Sequence, residues 1–369
     1  MDEFINRYGK YANKIEIFPI DTRERGVFAT EDIKVGDVLL AMPPSEMWVG
    51  THLEMTKKLK EMDNEYTRAL PVDLTNFPVM WSPSQIQSLE GSAMKEMIPS
   101  RKKKLMEEME TEDVLMLRNR LMVGSRGFTV DEDRVAMVPY ADMMNHSDDY
   151  NVDWKYTEKA FLMRALREIK KGEELYDSYG SKTNYENLLF YGMVLENNTD
   201  HDITYELIEI PPAFRTNLNF NYFHETIEYE LCGSYTRGTV EIFSLLRFLI
   251  CANANKNECP KQLLGFHCHP ISVKNECMMA KLMYNSLLNT YNEKIVKLKD
   301  ATGKVGDFVQ TELDVISKWL HHLPEVVKIL SCKTQKEAKK ACNKLSFSTE
   351  YVQKCIRPLI AKKSSYKTK

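Results

Sequence analysis

The spacing of apolar positions changes three times along the chain, and each change predicts a change of element. Residues 15–49 carry short runs. Ile15-Glu-Ile-Phe18 alternates, while Gly26-Val-Phe-Ala29 and Val38-Leu-Leu-Ala41 are compact apolar stretches. This is strand patterning, with Ile33-Lys-Val-Gly-Asp37 as a turn and Pro43-Pro44 as its end. From 52 to 122 the apolar positions recur at helical spacing, as at Leu105, Met109, Leu115, Leu117 and Leu121. Ser82-Pro83 reads as a helix start, with Ser as N-cap and Pro at the first helical position. Pro99-Ser100 is expected to separate that helix from the next. Strands resume from about 135 to 175, with Ala160-Phe-Leu-Met-Arg-Ala165 as one and the turn Ile169-Lys-Lys-Gly-Glu-Glu-Leu175 leading into another. Beyond about His201 helical spacing dominates, most strongly over 241–250 and 278–298. The pattern predicts an α+β chain: a strand-rich part over 1–205, interrupted by a helical block at about 52–122, and a mostly helical part over 206–369.

Composition narrows the class. The 369 residues are 43% hydrophobic and 28% charged, which suits two folded domains or one large one. No run of about eighteen apolar residues predicts a membrane span. Met1-Asp-Glu-Phe-Ile lacks the basic start and apolar centre of a signal peptide, so a cytoplasmic or nuclear location is expected. All eight cysteines lie between Cys232 and Cys355 and are expected to be reduced thiols in a helical core. Cys259, Cys268, His269 and Cys277 lack the paired C-x-x-C knuckles of a zinc site, and no metal is expected. Net charge is −3, yet from Cys332 onward ten Lys and one Arg face two Glu. This tail can meet nucleic acid or an acidic partner. The plainer reading is a solvated helix face carrying Lys336, Lys339, Lys340 and Lys344, because no aromatic residue interleaves with them as a nucleic-acid platform requires.

The candidate chemistry sits in two turns, Asp142-Met-Met-Asn-His146 and Tyr179-Gly180. Each alone has an ordinary explanation, since Asn, Ser and Asp favour turns. Asn145-His-Ser147 and Asn197-Asn-Thr199 are formal glycosylation sequons. Asp142, Asp148, Asp149 and Asp153 do not make a calcium loop, because neither the Gly nor the twelfth-position Glu is present. The order of motifs is more specific. Arg23-Glu-Arg-Gly26 precedes a helical insert containing Phe77-Pro-Val-Met-Trp-Ser82 and Leu89-Glu-Gly-Ser92. Ser125-Arg-Gly-Phe128, Asp142-x-x-Asn-His146, Tyr179-Gly180 and Thr183-Asn-x-Glu186 follow. Over residues 4–202 this order resembles the SET-domain protein methyltransferases of the branch typified by the Rubisco large-subunit lysine methyltransferase, to which the actin-histidine methyltransferase is similar. The resemblance continues more weakly to the C-terminus.

That resemblance implies a SET fold of short sheets with a pseudoknot, a helical C-terminal domain that binds a protein substrate, and S-adenosylmethionine as cofactor. By position it implies that Arg23, Glu24 and Arg25 line the cofactor pocket and that Arg126 lies near cofactor and substrate channel. Asn145 and His146 would hold the cofactor, largely through main-chain groups, with Tyr191 beside it. Tyr179 would be catalytic, and Phe128 and Asp142 would face the substrate. Tyr185, Asn187 and Met193 depart from the usual Ala, Leu and Phe, and Tyr185 could narrow the neighbourhood of the site. The cysteine cluster that follows the SET domain in histone-type enzymes is missing.

Methyl transfer from a sulfonium needs position and a free lone pair. A lysine of pKa ~10.4 is costly to hold neutral, by roughly 4 kcal/mol near neutral pH, unless desolvation and a nearby positive charge lower that pKa. Tyr179 and Phe128 would build such a channel, and no His or Glu stands out as a general base. Histidine is a second possible acceptor, being already largely neutral. The histidine-methylating branch carries Asn where Phe128 aligns, so Phe128 favours lysine. A non-catalytic interaction module that kept the SET fold, docking through its basic tail, is the competing class. A monomer is expected, with no membrane or nucleic-acid partner.

Overall fold

The computed structural model describes residues 1–19, 25–90, 92–196, 198, 202–208, 226–232, 243–247, 250–251, 272–298, 301 and 303–331. Contacts divide the chain into two compact units. The first comprises 1–80, 99–182 and 189–192, and the second 81–98, 183–188 and 193–369.

The first unit opens on α1 (Asp2–Tyr8) and holds three small sheets. One has the order β1-β2-β10-β7, from Ile15–Pro19, Arg25–Ala29, Glu174–Asp177 and Asn145–His146. β7 and β10 run parallel, pairing Asn145 with Tyr176 and His146 with Asp177. A second sheet joins β3 (Val38–Met42), β9 (Phe161–Ala165) and β8 (Val152–Tyr156), all antiparallel. The third joins β4 (Trp48–Thr51), β6 (Arg134–Met137) and β5 (Phe128–Thr129). Alternation in the sequence marks β1, β2, β3 and β9 correctly. It misses β4, because Pro43-Pro44 leads into a single 3-10 turn, Pro44–Glu46, after which the chain re-enters a strand at Trp48.

The insert supplies α2 (His52–Glu61), α3 (Glu65–Ala69) and α6 (Val114–Arg126) to the first unit and α4 (Pro83–Gln87) to the second, with α5 (Met94–Met109) divided between them at Pro99. Thr51 with Glu54, Asn64 with Thr67, and Ser82 with Gln85 cap α2, α3 and α4 reciprocally. The break expected at Pro99-Ser100 is absent, since Pro99 lies inside α5. There its missing N–H forfeits one helical bond, to the Lys95 carbonyl. The core of the first unit gathers Phe4 and Tyr8 from α1, Val27 from β2, Leu39 and Leu40 from β3, and Ala136 and Met137 from β6, each at most 1% exposed.

In the second unit, α7 (Asn184–Tyr191) contributes its first turns, followed by α8 (Val273–Leu298) and α9 (Gly303–Ser331). An antiparallel pair, β11 (Asp202–Ile208) and β12 (Thr226–Cys232), stands where helix was expected. Its signal was a two-residue polar-apolar alternation in Thr226-Ile-Glu-Tyr-Glu-Leu231. The cut expected near residue 205 falls inside β11. Buried polar groups tie this unit together. Glu312 accepts from Ser92 and Tyr185, each at 2.8 Å, and from Lys294 at 3.0 Å. Arg247 and Glu276, both fully buried, pair through two hydrogen bonds of 2.6 and 3.0 Å. Cys251 is disulfide-bonded, contrary to the expectation of reduced thiols. Cys259, Cys268, His269 and the basic tail lie outside the described residues, as does the sequon residue Asn197. Among the described residues no helix is long and apolar enough to cross a membrane.

Candidate active site

Five segments of the first unit converge on one cavity of about 200 Å³. The end of α6 brings Ser125 and Arg126. Gly127 then turns the chain into β5 and Phe128. A Cβ at Gly127 would stand 2.7 Å from the Val123 carbonyl oxygen and 3.0 Å from Val135 Cβ. Glycine is what lets α6 end against β6 and deliver Phe128 to the cavity wall.

The second segment is the turn before β7. Tyr140 has φ 75° and ψ −47°, a backbone conformation that costs an ordinary residue of order 1–3 kcal/mol. Its ring is 1% exposed, packs against Phe4 at 6.3 Å, and its hydroxyl donates to Ile15 O at 3.2 Å. That anchoring holds the strained turn and presents Asp142 and Met144 to the cavity. The Asp142 carboxylate accepts from Tyr66 Oη at 2.8 Å and lies 3.9 Å from Arg126 Nη1, which donates to the Asp142 carbonyl at 2.5 Å. Asp142 Oδ1 and Arg126 Nε are buried without partners. Burial pushes the Asp142 carboxyl up to about 6, against the pull of Arg126 and Tyr66.

The third segment is β10 and its continuation. Tyr179 donates its hydroxyl to the Met144 carbonyl at 2.8 Å and its amide N–H to His146 Nδ1 at 3.1 Å. That second bond leaves Nδ1 unprotonated, so a neutral His146 carries its proton on Nε2, which faces Asp148 at 3.5 Å. Burial lowers the His146 pKa, which favours that neutral form. The rings of His146, Tyr179 and Tyr191 form a stack, with centroid separations of 5.2 and 4.9 Å. Lys182 donates to the Tyr179 carbonyl and lies over the Tyr191 ring. Burial raises the Tyr179 pKa well above the ordinary phenol value, so its proton stays on oxygen.

Trp154 of β8 closes the wall, edge-on to Phe128 at 5.3 Å and stacked on Phe161 at 5.4 Å. The structure therefore brings Arg126, Phe128, Asp142, Tyr179 and Tyr191 to one cavity. Asn145, His146 and Arg25 stand behind it. Asn145 donates to the Arg25 carbonyl and to Glu174, each at 2.9 Å, fastening β2 to β10. Arg25 donates to Ala69 O at 2.8 Å. Arg23 and Glu24 lie outside the described residues. Tyr185, expected near the site, instead packs on Phe308 and bonds Glu312 in the second unit.

Trp154 and Asp177 also line the cavity and were not singled out from the sequence. For Asp177 a signal existed. In Glu174-Leu-Tyr-Asp177 a two-residue period puts Asp177 on the face of Leu175, and both are buried. Burial, reinforced by Asp153, pushes the Asp177 carboxyl up to about 7. Its folded pKa thus exceeds the unfolded value of ~3.9, so the folded state binds more protons between about pH 4 and 7 and is destabilised as pH rises through that window. His146 and His322, whose folded pKa values are lowered, oppose this slope below about pH 6.5, so a paired comparison isolates the carboxyl. The Asp177→Asn protein should gain stability over the natural protein between pH 5 and 8, by at most about 3 kcal/mol at ~1.4 kcal/mol per unit. Urea unfolding at both pH values measures it, and a constant difference would refute the raised pKa.

The geometry defines a cavity of mixed aromatic and charged lining with one phenol pinned to a carbonyl, and the comparisons give it a class. Residues 24–180 match the family model of the SET domain. The fold of the chain is that of Rubisco LSMT: the structure bound to AdoMet superposes with a TM-score of 0.60, covering 95% of this chain and 98% of that one at 17% identity. N-lysine methyltransferase setd6 of Salmo salar is 42% identical over 57 residues, 15% of this chain and 13% of that protein. Ribosomal lysine N-methyltransferase 4 of Saccharomyces cerevisiae is 34% identical over 91 residues, 23% of this chain and 18% of that protein. The matched segments thus span under a fifth of these two relatives' lengths.

Proposed function

We propose that the protein is an S-adenosylmethionine-dependent protein-lysine N-methyltransferase, with Tyr179 as its catalytic tyrosine. The observation that carries this reading is the Tyr179 hydroxyl, fixed on the Met144 carbonyl in a cavity walled by Phe128, Trp154 and Tyr191. The sequence relatives are lysine methyltransferases by name, and structures of the same fold hold AdoMet, or lysine with AdoHcy.

The cavity's chemistry fits the reacting end of the cofactor. A sulfonium suits aromatic faces and carbonyl oxygens, which Tyr179, Tyr191, Met144 and Asp142 offer. The unpartnered Asp142 Oδ1 and Arg126 Nε are polar atoms that a bound ligand or water would satisfy. Arg23, Glu24, Arg25, Asn145, His146 and Tyr191 would hold the cofactor, which supplies an activated methyl group. The chain supplies the rest. Phe128 and Trp154 strip water from the acceptor amine, which lowers its pKa. Tyr179 orients its lone pair, and Arg126 keeps the Asp142 carbonyl in place. Phe128 has no polar atom to pair with an imidazole ring, which favours lysine over histidine as the acceptor.

The substrate is a protein presenting that lysine. A cytoplasmic or nuclear location and a monomeric state belong to the same reading. Calorimetry with S-adenosylmethionine, followed by incubation of a cell lysate with methyl-labelled cofactor, should give saturable binding and a labelled protein band. Absence of binding would favour the non-catalytic module instead.

A further inference from the structure

Asp177 shares its wall with Phe128, Trp154, Tyr179 and Tyr191, and with the charged Arg126, Asp142 and Lys182. It is 5% exposed and lines the same cavity as Tyr179, Phe128 and Trp154. Its Oδ1 accepts the Ser178 amide at 2.8 Å, which fixes the rotamer, and its Oδ2 accepts no hydrogen bond from any described residue. An oxygen that accepts nothing from the protein is available to a donor that enters the cavity. The backbone holds Asp177 firmly: it pairs with His146 in the parallel ladder, and its carbonyl accepts from the Ser147 amide at 3.2 Å.

We propose that Asp177 is the proton acceptor for the substrate amine, a role that rests on the methyltransferase reading above. The lysine enters as an ammonium ion and donates one N–H to Asp177 Oδ2. That proton moves to the carboxylate, leaving a neutral amine and a neutral carboxyl. The amine lone pair then forms the N–C bond as the C–S bond of the sulfonium breaks and its electron pair returns to sulfur. The product is a methylated ammonium, and Asp177 returns its proton to solvent before the next turnover.

Three facts support this role over a purely structural one. The carboxyl titrates near neutrality, pushed up to about 7 mainly by burial, which matches a base working near that pH. Proton transfer replaces a partly buried ion pair by two neutral groups, which removes the cost of holding both charges away from water. Asp142 is the rival carboxylate on the wall, and its Oδ1 is unpartnered too, but Tyr66 bonds its Oδ2 and the Arg126 charge stands 3.9 Å away. The titratable groups around Asp177 are His146 on β7, Asp153 on β8, Tyr179 beyond β10, and Arg126, Asp142 and Lys182 on the cavity wall. His146 is engaged at Nδ1 by Tyr179, and Asp142 by Tyr66 and the Arg126 charge.

Asp177→Asn keeps an Oδ1 acceptor for Ser178 and removes the base, and Asp177→Glu keeps a base. The test is the rate of label transfer to lysate protein from pH 6 to 10, with cofactor calorimetry as a check of folding. The Asn variant should be about 100-fold slower near pH 7. It should recover toward pH 10, where the lysine sheds its own proton, while the Glu variant retains part of the neutral-pH rate. A carboxyl infrared band that titrates near pH 7 and vanishes in the Asn variant is the readout independent of activity. An Asn variant with the natural pH profile, or one equally slow at every pH, overturns the proposal and leaves the methyltransferase reading standing. Failure of the natural protein to label any protein overturns both.

Discussion

Tyr179→Phe is expected to slow methyl transfer about 100-fold or more while leaving the fold intact. The ring is held by the stack with His146 and Tyr191, and phenylalanine preserves that stack. What disappears is one hydroxyl, with its hydrogen bond to the Met144 carbonyl. For stability this is a small loss, about 1 kcal/mol, as expected of a single neutral hydrogen bond. For the reaction it removes the polar atom that lines up the acceptor and frees a carbonyl that had been fixed in place. Loss of one preorganised polar group at a reacting centre typically costs ~10²–10³ in rate. The effect should fall on kcat more than on KM, because the hydroxyl acts on the reacting geometry and the substrate's wider contacts are untouched. Steady-state kinetics with labelled cofactor measures it. A variant of natural activity would remove Tyr179 from the catalytic role.

The largest expected effect on stability lies in the second unit, at Glu312. Its carboxylate is fully buried and serves Ser92, Tyr185 of α7 and Lys294 of α8 together. Glu312→Ala takes the carboxylate away from the Lys294 ammonium, itself 3% exposed at the side chain. It also takes the shared acceptor from two buried hydroxyls. Breaking a buried ion pair from one side costs ~3–5 kcal/mol. Replacing both charges by neutral residues of similar size, Glu312→Gln with Lys294→Met, should recover much of that loss, because no uncompensated charge remains. Urea midpoints of the single and double variants measure both claims. A single variant within about 0.5 kcal/mol of the natural protein would show that the network carries no stability.

Much of the first unit is legible in the sequence because its strands are half-buried and therefore alternate. Ile15 and Ile17 of β1 are buried while Glu16 is exposed. The Ser82-Pro83 helix start is likewise local chemistry, and it holds. What fails are features decided by long-range packing. β4 exists because β6 pairs with it from more than eighty residues away, and no local signal reports that. Pro99 breaks α5 only in a local reading. β11 and β12 were passed over for the helical spacing that surrounds them.

The candidate site shows the same division. Tyr179, Asp142 and Phe128 could be placed because their motifs are ordered along the chain. Trp154 could not, since its importance comes from which face of β8 meets the cavity, and Asp177 showed only as a buried position in the alternation of β10. Tyr185 was expected beside the site, but its hydroxyl bonds Glu312 in the second unit.

The account's central claim is methyl transfer to a protein lysine, and mass spectrometry of the lysate band labelled by the natural protein tests it most directly. The account predicts the label on a lysine side-chain nitrogen, with the band absent when the Tyr179→Phe protein is used. A label on histidine, or a band of equal intensity with both proteins, would contradict it.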